Sequence, residues 1–226
     1  MDYSLTIEGR EVWFAASISS SINDTAILVA HDITERKQAE EEIYQRADDL
    51  ALINMLNAIT NQGLELKEIV ILMSKEIRRI FNCIGATTAF PDADHTHLIP
   101  QHVDFPSSLS IPVEKLIGAS VASLPLRIPL TGEGQFARVA RAGTPAIFHD
   151  AETIKSAFAE HTDNPLLKRL VSPVFEITGI RSMMLIPLVS ERQVIGFLHI
   201  SRAEQFTESD LNRVQVIAGQ LTTAIG

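Results

Sequence analysis

Four groups of residues in the 226-residue chain are of types that perform chemistry. His31-Asp32 sets an imidazole beside a carboxylate, the pairing used by a phosphoacceptor histidine. The alternation of Ile27 and Val29 beside Leu28 and Ala30 puts that pair at the end of a strand, with a helix starting after it, whereas a phosphoacceptor belongs on a dimerisation helix. The run Asp92-Ala93-Asp94-His95-Thr96-His97 crowds hard and borderline metal ligands together, and the same composition describes a solvated polar loop, which is the reading we adopt. Cys83, the lone cysteine, excludes an intramolecular disulfide and a cysteine-rich zinc site, and reads as a small buried thiol. Thr131-Gly132-Glu133-Gly134 is the richest glycine cluster, yet it lacks the lysine of a phosphate-cradling loop and reads as a helix start. No Gly-x-Ser-x-Gly nucleophile turn occurs.

The elements that position these groups follow from periodicity. Residues 3 to 33 alternate as three short strands around Tyr3, Leu5 and Ile7, then Val12, Phe14, Ala16 and Ile18, then Ile27 and Val29, with turns at Glu8-Gly9-Arg10 and Asn23-Asp24. Three strands in so short a piece cannot close a core. Thr34 is placed to cap a helix from Glu35 to Thr60, with Glu35 at the positive end of its dipole. Ala39, Ile43, Ala47 and Leu50 form a narrow stripe on that helix, suited to a partner helix or to one edge of a solvated connector. The stripe widens at Leu52, Ile53, Leu56 and Ile59, which implies burial, and Gly63 ends the helix.

A second amphipathic helix, 66 to 81, carries Ile69, Leu72, Met73, Ile77 and Ile80 on one side. Strands are expected at 84 to 90, 97 to 103, 126 to 129, 146 to 149, 181 to 189 and 193 to 202, and helices at 135 to 141 and 164 to 176. Residues 104 to 125 carry no clear period. Thr207-x-x-Asp210 is a capping box for a last helix whose stripe is Leu211, Val214, Ala218, Leu221 and Ile225.

Composition narrows the partners. Nineteen Lys and Arg against 28 Asp and Glu give a net charge of -9, which opposes binding to nucleic acid or to an anionic membrane. No apolar run approaches the ~18 residues of a membrane helix, and the start lacks the basic-then-apolar order of a signal peptide, so a cytoplasmic setting is expected. The strand-like start and uncapped last helix read as a piece of a longer protein.

Two stretches resemble known families. Ile27-Leu28-Val29-Ala30-His31-Asp32-Ile33-Thr34-Glu35-Arg36-Lys37 is similar to the C-terminal end of a PAS domain, where an Asp-Ile-Thr triplet leads from the last strand into a signalling helix. Residues 50 to 225 resemble a GAF domain, on Gly179-Ile180-Arg181-Ser182-Met183-Met184-Leu185-Ile186-Pro187-Leu188, Val194-Ile195-Gly196-Phe197-Leu198 and Phe206-Thr207-Glu208-Ser209-Asp210, with Gly134, Gly143-Thr144-Pro145 and His149-Asp150 before them. The resemblance implies an α+β fold: a six-stranded antiparallel sheet with helices packed on one face, preceded by a partial three-stranded PAS sheet and a connecting helix. The implied divisions are 1 to 34, 35 to 50 and 50 to 226.

Of the cyclic-nucleotide signature in some GAF domains only Phe206 and Asp210 are present; Ser201-Arg202 and Leu211 replace its other members, and packing plus capping account for the two that remain. Cys83 lies before the first sheet strand, away from where bilin-binding relatives attach their chromophore, and one cysteine does not suffice for a methionine sulfoxide reductase on this fold.

The resemblance makes a ligand pocket the expected site, with candidates Arg138, His149, Asp150, Arg181 and His199, and with Met183 and Leu185 as apolar lining. Phe197, His199 and Ser201 share one face of their strand, so His199 faces either the pocket or the helices. Asp32 and Thr34 are the expected signal-coupling residues. The sequence names no cofactor and no metal site. It implies a sensory segment of a bacterial signalling protein, such as a sensor histidine kinase or a cyclic-di-nucleotide enzyme. That segment would be non-catalytic itself, homodimeric through the 35 to 60 helix and the last helix, and would answer an unidentified small molecule by relaying a change to an output kinase or cyclase domain. A purely structural dimerisation domain, whose own side chains fill the cavity, and a small-molecule enzyme on the same fold are the rival classes.

Overall fold

Alternation in the first thirty residues produces a three-stranded antiparallel sheet in the computed structural model, which describes residues 1–20, 26–61 and 64–225. The chain divides into two units, Met1–Leu50 and Ala51–Gly226, with the boundary inside the first helix. In the first unit β1 (Asp2–Ile7), β2 (Arg10–Ser20) and β3 (Ala26–Asp32) pair in that order, in a register that sets Tyr3 opposite Phe14 and stacks their rings 5.7 Å apart. Glu8 and Gly9 both take positive φ, the backbone of a two-residue hairpin whose twist matches its strands. The turn expected at Asn23-Asp24 lies outside the described residues. A single layer this small covers little of its own apolar surface, and β3 is exposed along its whole length.

Helix α1 (Thr34–Asn61) begins where the period changes, but its cap differs from the sequence expectation. The Asp32 carboxylate, not the Thr34 hydroxyl, caps it: Asp32 Oδ1 accepts the Thr34 N–H at 2.9 Å and its hydroxyl at 2.6 Å. The Thr34 Oγ1 instead accepts the Trp13 N–H at 2.9 Å, tying the helix start to β2. Thr34 is the first helical residue, one place too late to cap itself. The Ile43–Leu50 part of the stripe is exposed, and Leu52 is buried. The side chains of Leu56 and Ile59, and Gly63, lie outside the described residues.

The second unit is built on a six-stranded antiparallel sheet in the order β6-β5-β4-β9-β8-β7. Its strands are β4 (Gly85–Pro91), β5 (His97–Asp104), β6 (Ile128–Pro129), β7 (Ala146–Phe148), β8 (Ser182–Ser190) and β9 (Gln193–Arg202). The α+β class and the antiparallel six-stranded sheet expected from the sequence are what the chain adopts. Gly196 sits where β9 crosses Phe90 of β4: a Cβ there would lie 2.8 Å from the Phe90 ring and 3.1 Å from the Ala89 carbonyl.

On one face Leu198 and Ile200 of β9 and Met184, Ile186 and Leu188 of β8 pack with α2 (Leu66–Ile80) and α7 (Glu208–Ile225). Thr207 and Asp210 cap α7 reciprocally, Asp210 Oδ2 accepting the Thr207 N–H at 2.8 Å and Thr207 Oγ1 accepting the Asp210 N–H at 3.1 Å. Arg202 donates to the same carboxylate at 2.7 Å and lies over the Phe206 ring, 4.1 Å from its centre. Val214, Ala218 and Leu221 are buried in this core, with Leu211 and Ile225 packed at its margin. The α7 stripe is therefore taken up largely by its own sheet.

The opposite face carries α3 (Ser107–Ile117), α4 (Gln135–Ala142), α5 (Ala151–Ala159) and α6 (Pro165–Thr178). Helix α3 lies in the stretch without clear period: Pro112 stands inside it, and serines crowd its first turn. Helix α5 lies where the sequence period predicts no element, and Asp150, expected in the pocket, is its cap.

Candidate functional site

Odd-numbered positions of β9 decide where the site lies. Phe197 and His199 turn to the face that carries α3 to α6, while Leu198 and Ile200 turn to α2 and α7. Around Phe197 this face is a closed core of Ala89, Leu98, Phe136, Ile154, Met183 and Leu185. Around His199 and Ser201 it opens into a cavity of about 130 Å³.

The floor of the cavity is Gly85 and Thr87 of β4 with His199 and Ser201 of β9. One wall is Val113 and Ile117 of α3 with Phe105 and Val121. The other is α6, whose Leu167, Leu170, Val171, Val174, Phe175 and Thr178 recur at helical spacing, and the end of α5, with Phe158, His161 and Thr162. Of the α6 residues only Thr178 is fully buried, so the apolar stripe of this helix borders open space instead of side chains. None of the described residues lining the cavity is Asp, Glu, Lys or Arg.

The polar groups that do line it are unusual in their partners. His199 is 6% exposed, and neither of its ring nitrogens has a hydrogen-bond partner. Its ring is held edge-on by Phe136 and Phe158, at 5.8 and 5.2 Å, and lies 5.5 Å from the ring of His161. His161 donates from Nδ1 to the Ala157 carbonyl at 3.0 Å and stacks on Phe158 at 5.6 Å, which leaves its Nε2 as a lone-pair acceptor. Burial pushes the His161 imidazole down to about 4, against the opposing pull of the Ala157 and Phe158 carbonyls. Burial, and then the neighbouring His161, hold His199 well below the usual imidazole range. Both rings are neutral at physiological pH.

The residue before His161 fixes this corner. Glu160 caps α4 from outside, accepting the N–H groups of Gln135 at 2.8 Å and Phe136 at 3.4 Å. A Cβ at Gly134 would fall on the Glu160 carboxylate, so a side chain there would push this cap aside. Burial raises the Glu160 carboxyl, the two backbone donors opposing it.

The structure distributes the residues expected for the pocket unevenly. His199 lies in the cavity. Met183 and Leu185 pair with Ser201 and His199 across β8 and β9, and are buried in the closed core beside the cavity without reaching it. Arg138 is exposed on α4, 3.6 Å from Glu133, because it falls on the solvent side of an amphipathic helix. His149 is exposed at the end of β7, its Nδ1 3.0 Å from Ser182 Oγ. Asp150 caps α5, accepting the Thr153 N–H and hydroxyl at 2.8 Å each, which holds its carboxyl low. Arg181 is exposed just before β8, its backbone N–H bonded to the Arg202 carbonyl. These four charged or polar residues do not form a pocket.

His161, Thr162 and the α6 stripe escaped the sequence reading. The spacing of Leu167, Leu170 or Val171, Val174 and Thr178 was the available signal, since it defines one face of the helix.

Other groups with chemical potential are engaged elsewhere. Cys83 is buried in the core of the α2–α7 face, and burial pushes its thiol up to about 12. In the 92–97 loop Asp92 accepts the N–H groups of Thr96 at 2.9 Å and His97 at 3.1 Å and the Arg127 guanidinium at 3.0 Å; the backbone donor of His97 foremost drives its carboxyl down to about 2. His31 lies on β3, opposite Ala15. No helix among the described residues is long and apolar enough to cross a membrane.

Comparison with known proteins agrees with this geometry. The model of the GAF domain family matches residues 59–225. Among solved structures, the GAF domain of a phosphoenolpyruvate-protein phosphotransferase from Coxiella burnetii covers 79% of this chain and 93% of its own, at 16% identity and a TM-score of 0.55. The phycoerythrobilin-bound GAF domain of a cyanobacterial phytochrome covers 80% and 95%, at 19% identity and a TM-score of 0.54. Free methionine-R-sulfoxide reductase from Neisseria meningitidis, solved with its substrate, covers 76% and 85%, at 15% identity and a TM-score of 0.52. These likenesses show a shared fold. A comparison with curated proteins returns no match.

Proposed function

The chain belongs to the GAF domain family, a ligand-binding and regulatory signalling domain found in diverse proteins, and from that premise we propose that its second unit is a sensor that takes a small molecule into the His199 cavity. One observation carries the reading: a buried imidazole with both nitrogens unpartnered lines an apolar cavity that the chain's own side chains leave open. Leaving a buried polar group without a partner costs about 1–3 kcal/mol, so such a site gains stability from an occupant that supplies the missing bonds. A purely structural domain would fill this space itself.

The reading is one of binding without turnover. Two neutral imidazoles and a few hydroxyls line the cavity, with no carboxylate or thiol among the described lining residues to act as partner in acid–base or nucleophilic catalysis. Occupancy would favour the arrangement of α3, α5 and α6 that closes on the ligand, and a shift in the sheet beneath them would reach α2 and α7 on its other face. We further propose that the parent is a bacterial signal-transduction protein such as a sensor histidine kinase. The first sheet would be the end of a PAS domain, Asp32 and Thr34 would set the entry of the connecting helix, and the exposed Ile43 and Leu50 of α1 would contact a second copy of the chain. A cytoplasmic location fits this assignment.

Toluene serves as a neutral probe of the cavity. Titrated into the protein, it raises the thermal midpoint, and Leu170→Trp, which fills the cavity from α6, removes the effect while the variant stays folded. Hydrogen exchange with toluene present slows in α7 as well as in α6. No change in midpoint for the unaltered protein would end the ligand-cavity reading; protection confined to α3, α5 and α6 would end the relay.

A further inference from the structure

The lining of the cavity states what kind of molecule fits it. Its volume, about 130 Å³, is close to the roughly 150 Å³ at which an apolar cavity engineered into another protein takes up benzene. A single ring with a small substituent is the right scale. Phe158, His161 and Phe175 give it aromatic company.

Charge is excluded on both sides. Among the described lining residues, a carboxylate or phosphate entering the cavity would lose its water and meet no arginine, lysine or protonated histidine, and an ammonium group would meet no carboxylate. The polar demand is specific instead. Neutral His199 carries one N–H and one lone pair, both unpartnered, and His161 adds a lone pair at Nε2 5.5 Å away from ring to ring. A group that both donates and accepts can meet either kind of site; a hydroxyl on a ring does so, accepting from an N–H or donating to a lone pair.

We infer that the cavity selects an uncharged, ring-sized molecule bearing a single hydroxyl group of the phenol type, whose oxygen pairs with His199. This rests on the ligand-cavity reading above and adds the chemical class to it. The hydroxyl makes one of the bonds that the imidazole lacks, and the ring lies along the α6 stripe. Cyclic nucleotides, amino acids and other charged metabolites are rejected by the same lining.

Three probes of nearly equal size separate the possibilities, followed by nuclear magnetic resonance titration of the whole chain at pH 7.5: phenol, toluene and benzoate. Phenol binds at least about tenfold tighter than toluene, the gain expected when one buried hydrogen bond is made instead of left open. Benzoate does not bind. Phenol moves the ring ¹⁵N resonances of His199, and toluene moves them far less. In His199→Leu toluene still binds and the preference for phenol falls to within about twofold.

Phenol no tighter than toluene in the unaltered protein would overturn the inference while leaving the cavity intact, since it would mean that water already satisfies His199. Benzoate binding as well as phenol would overturn it likewise. Failure of all three probes would refute the cavity itself, and with it the proposed function. These comparisons hold within the unaltered protein, so they decide the matter even if His199→Leu does not fold.

Discussion

Acid should loosen the second unit well before its carboxylates titrate, and the two cavity histidines set the amount. An imidazole ordinarily titrates near 6.5, and burial brings His161 down to about 4 and holds His199 well below the usual range. Between these values the unfolded chain binds a proton that the folded chain refuses, so stability is complete above about pH 6.5 and is lost as pH falls toward 4. With an unfolded value of 6.5 and a folded value of about 4, lowering the pH from 7 to 5 costs about 2 kcal/mol for His161, and His199, lowered in the same direction, adds to that loss. At a slope of about 2 kcal/mol per molar urea, the unfolding midpoint drops by at least about 1 M.

Glu160 cannot mimic the effect: its carboxyl is raised, so its contribution to stability grows as pH falls. Asp32, Asp92, Asp150 and Asp210 are all lowered from the carboxylate range, and their losses come below about pH 4. Far-UV circular dichroism follows the helices, most of which lie in the second unit, and the emission of Trp13 reports the first unit separately. His161→Leu combined with His199→Leu removes most of the pH dependence between 7 and 5. An unaltered protein whose midpoint is the same at both pH values, or a double variant that keeps the full slope, would refute the assignment of these rings as buried and neutral.

Two further variants probe the scaffold. Gly196→Ala forces a methyl to within 2.8 Å of the Phe90 ring at the centre of the sheet and lowers stability by about 2 kcal/mol in urea denaturation; a loss below about 0.5 kcal/mol would show that β4 and β9 do not approach as closely as described. Asp32→Ala removes the cap of α1 and the acceptor for the Thr34 hydroxyl, costing about 1 kcal/mol in the transition reported by Trp13; Thr34→Ala also weakens that transition, by loosening β2 from the helix, whereas an effect only of Thr34→Ala would restore the threonine as the cap.

Much of the fold was legible because burial enforces period. On β9 the alternation of Phe197, His199 and Ser201 with Leu198 and Ile200 assigned each residue to a face, and on α7 Thr207 and Asp210 marked the helix start by their chemistry alone. What the alternation could not supply was which face held the cavity, since both faces of this sheet are covered by helices. The pocket itself was read from charge, and that misled. Arg138, Asp150 and Arg181 are charged residues near the right strands, but charge near a sheet is more cheaply placed in solvent or at a helix end than in a cavity, and that is where the structure puts all three. The cavity was written in apolar residues of α3 and α6, whose periodic stripes look the same in sequence whether they border a core or an empty space.

The two faces of the sheet therefore divide the work of the domain. Against α2 and α7 the core is closed: Met184, Ile186, Leu188, Leu198 and Ile200 meet buried side chains from both helices, and Cys83 is sealed among them. Against α3 and α6 the contacts run more between the helices themselves than down to the strands, and the space left beneath them holds the polar ring that nothing pairs. A closed core of this kind transmits displacement because it has no slack to absorb it. An open cavity with an unsatisfied imidazole has a reason to change on binding, since the occupant supplies what the chain lacks. His199 stands on the strand that serves both, its backbone shared with Leu198 and Ile200. On the proposed reading, an adjustment of that ring to a ligand would pass along one short stretch of β9 into the packing of α7.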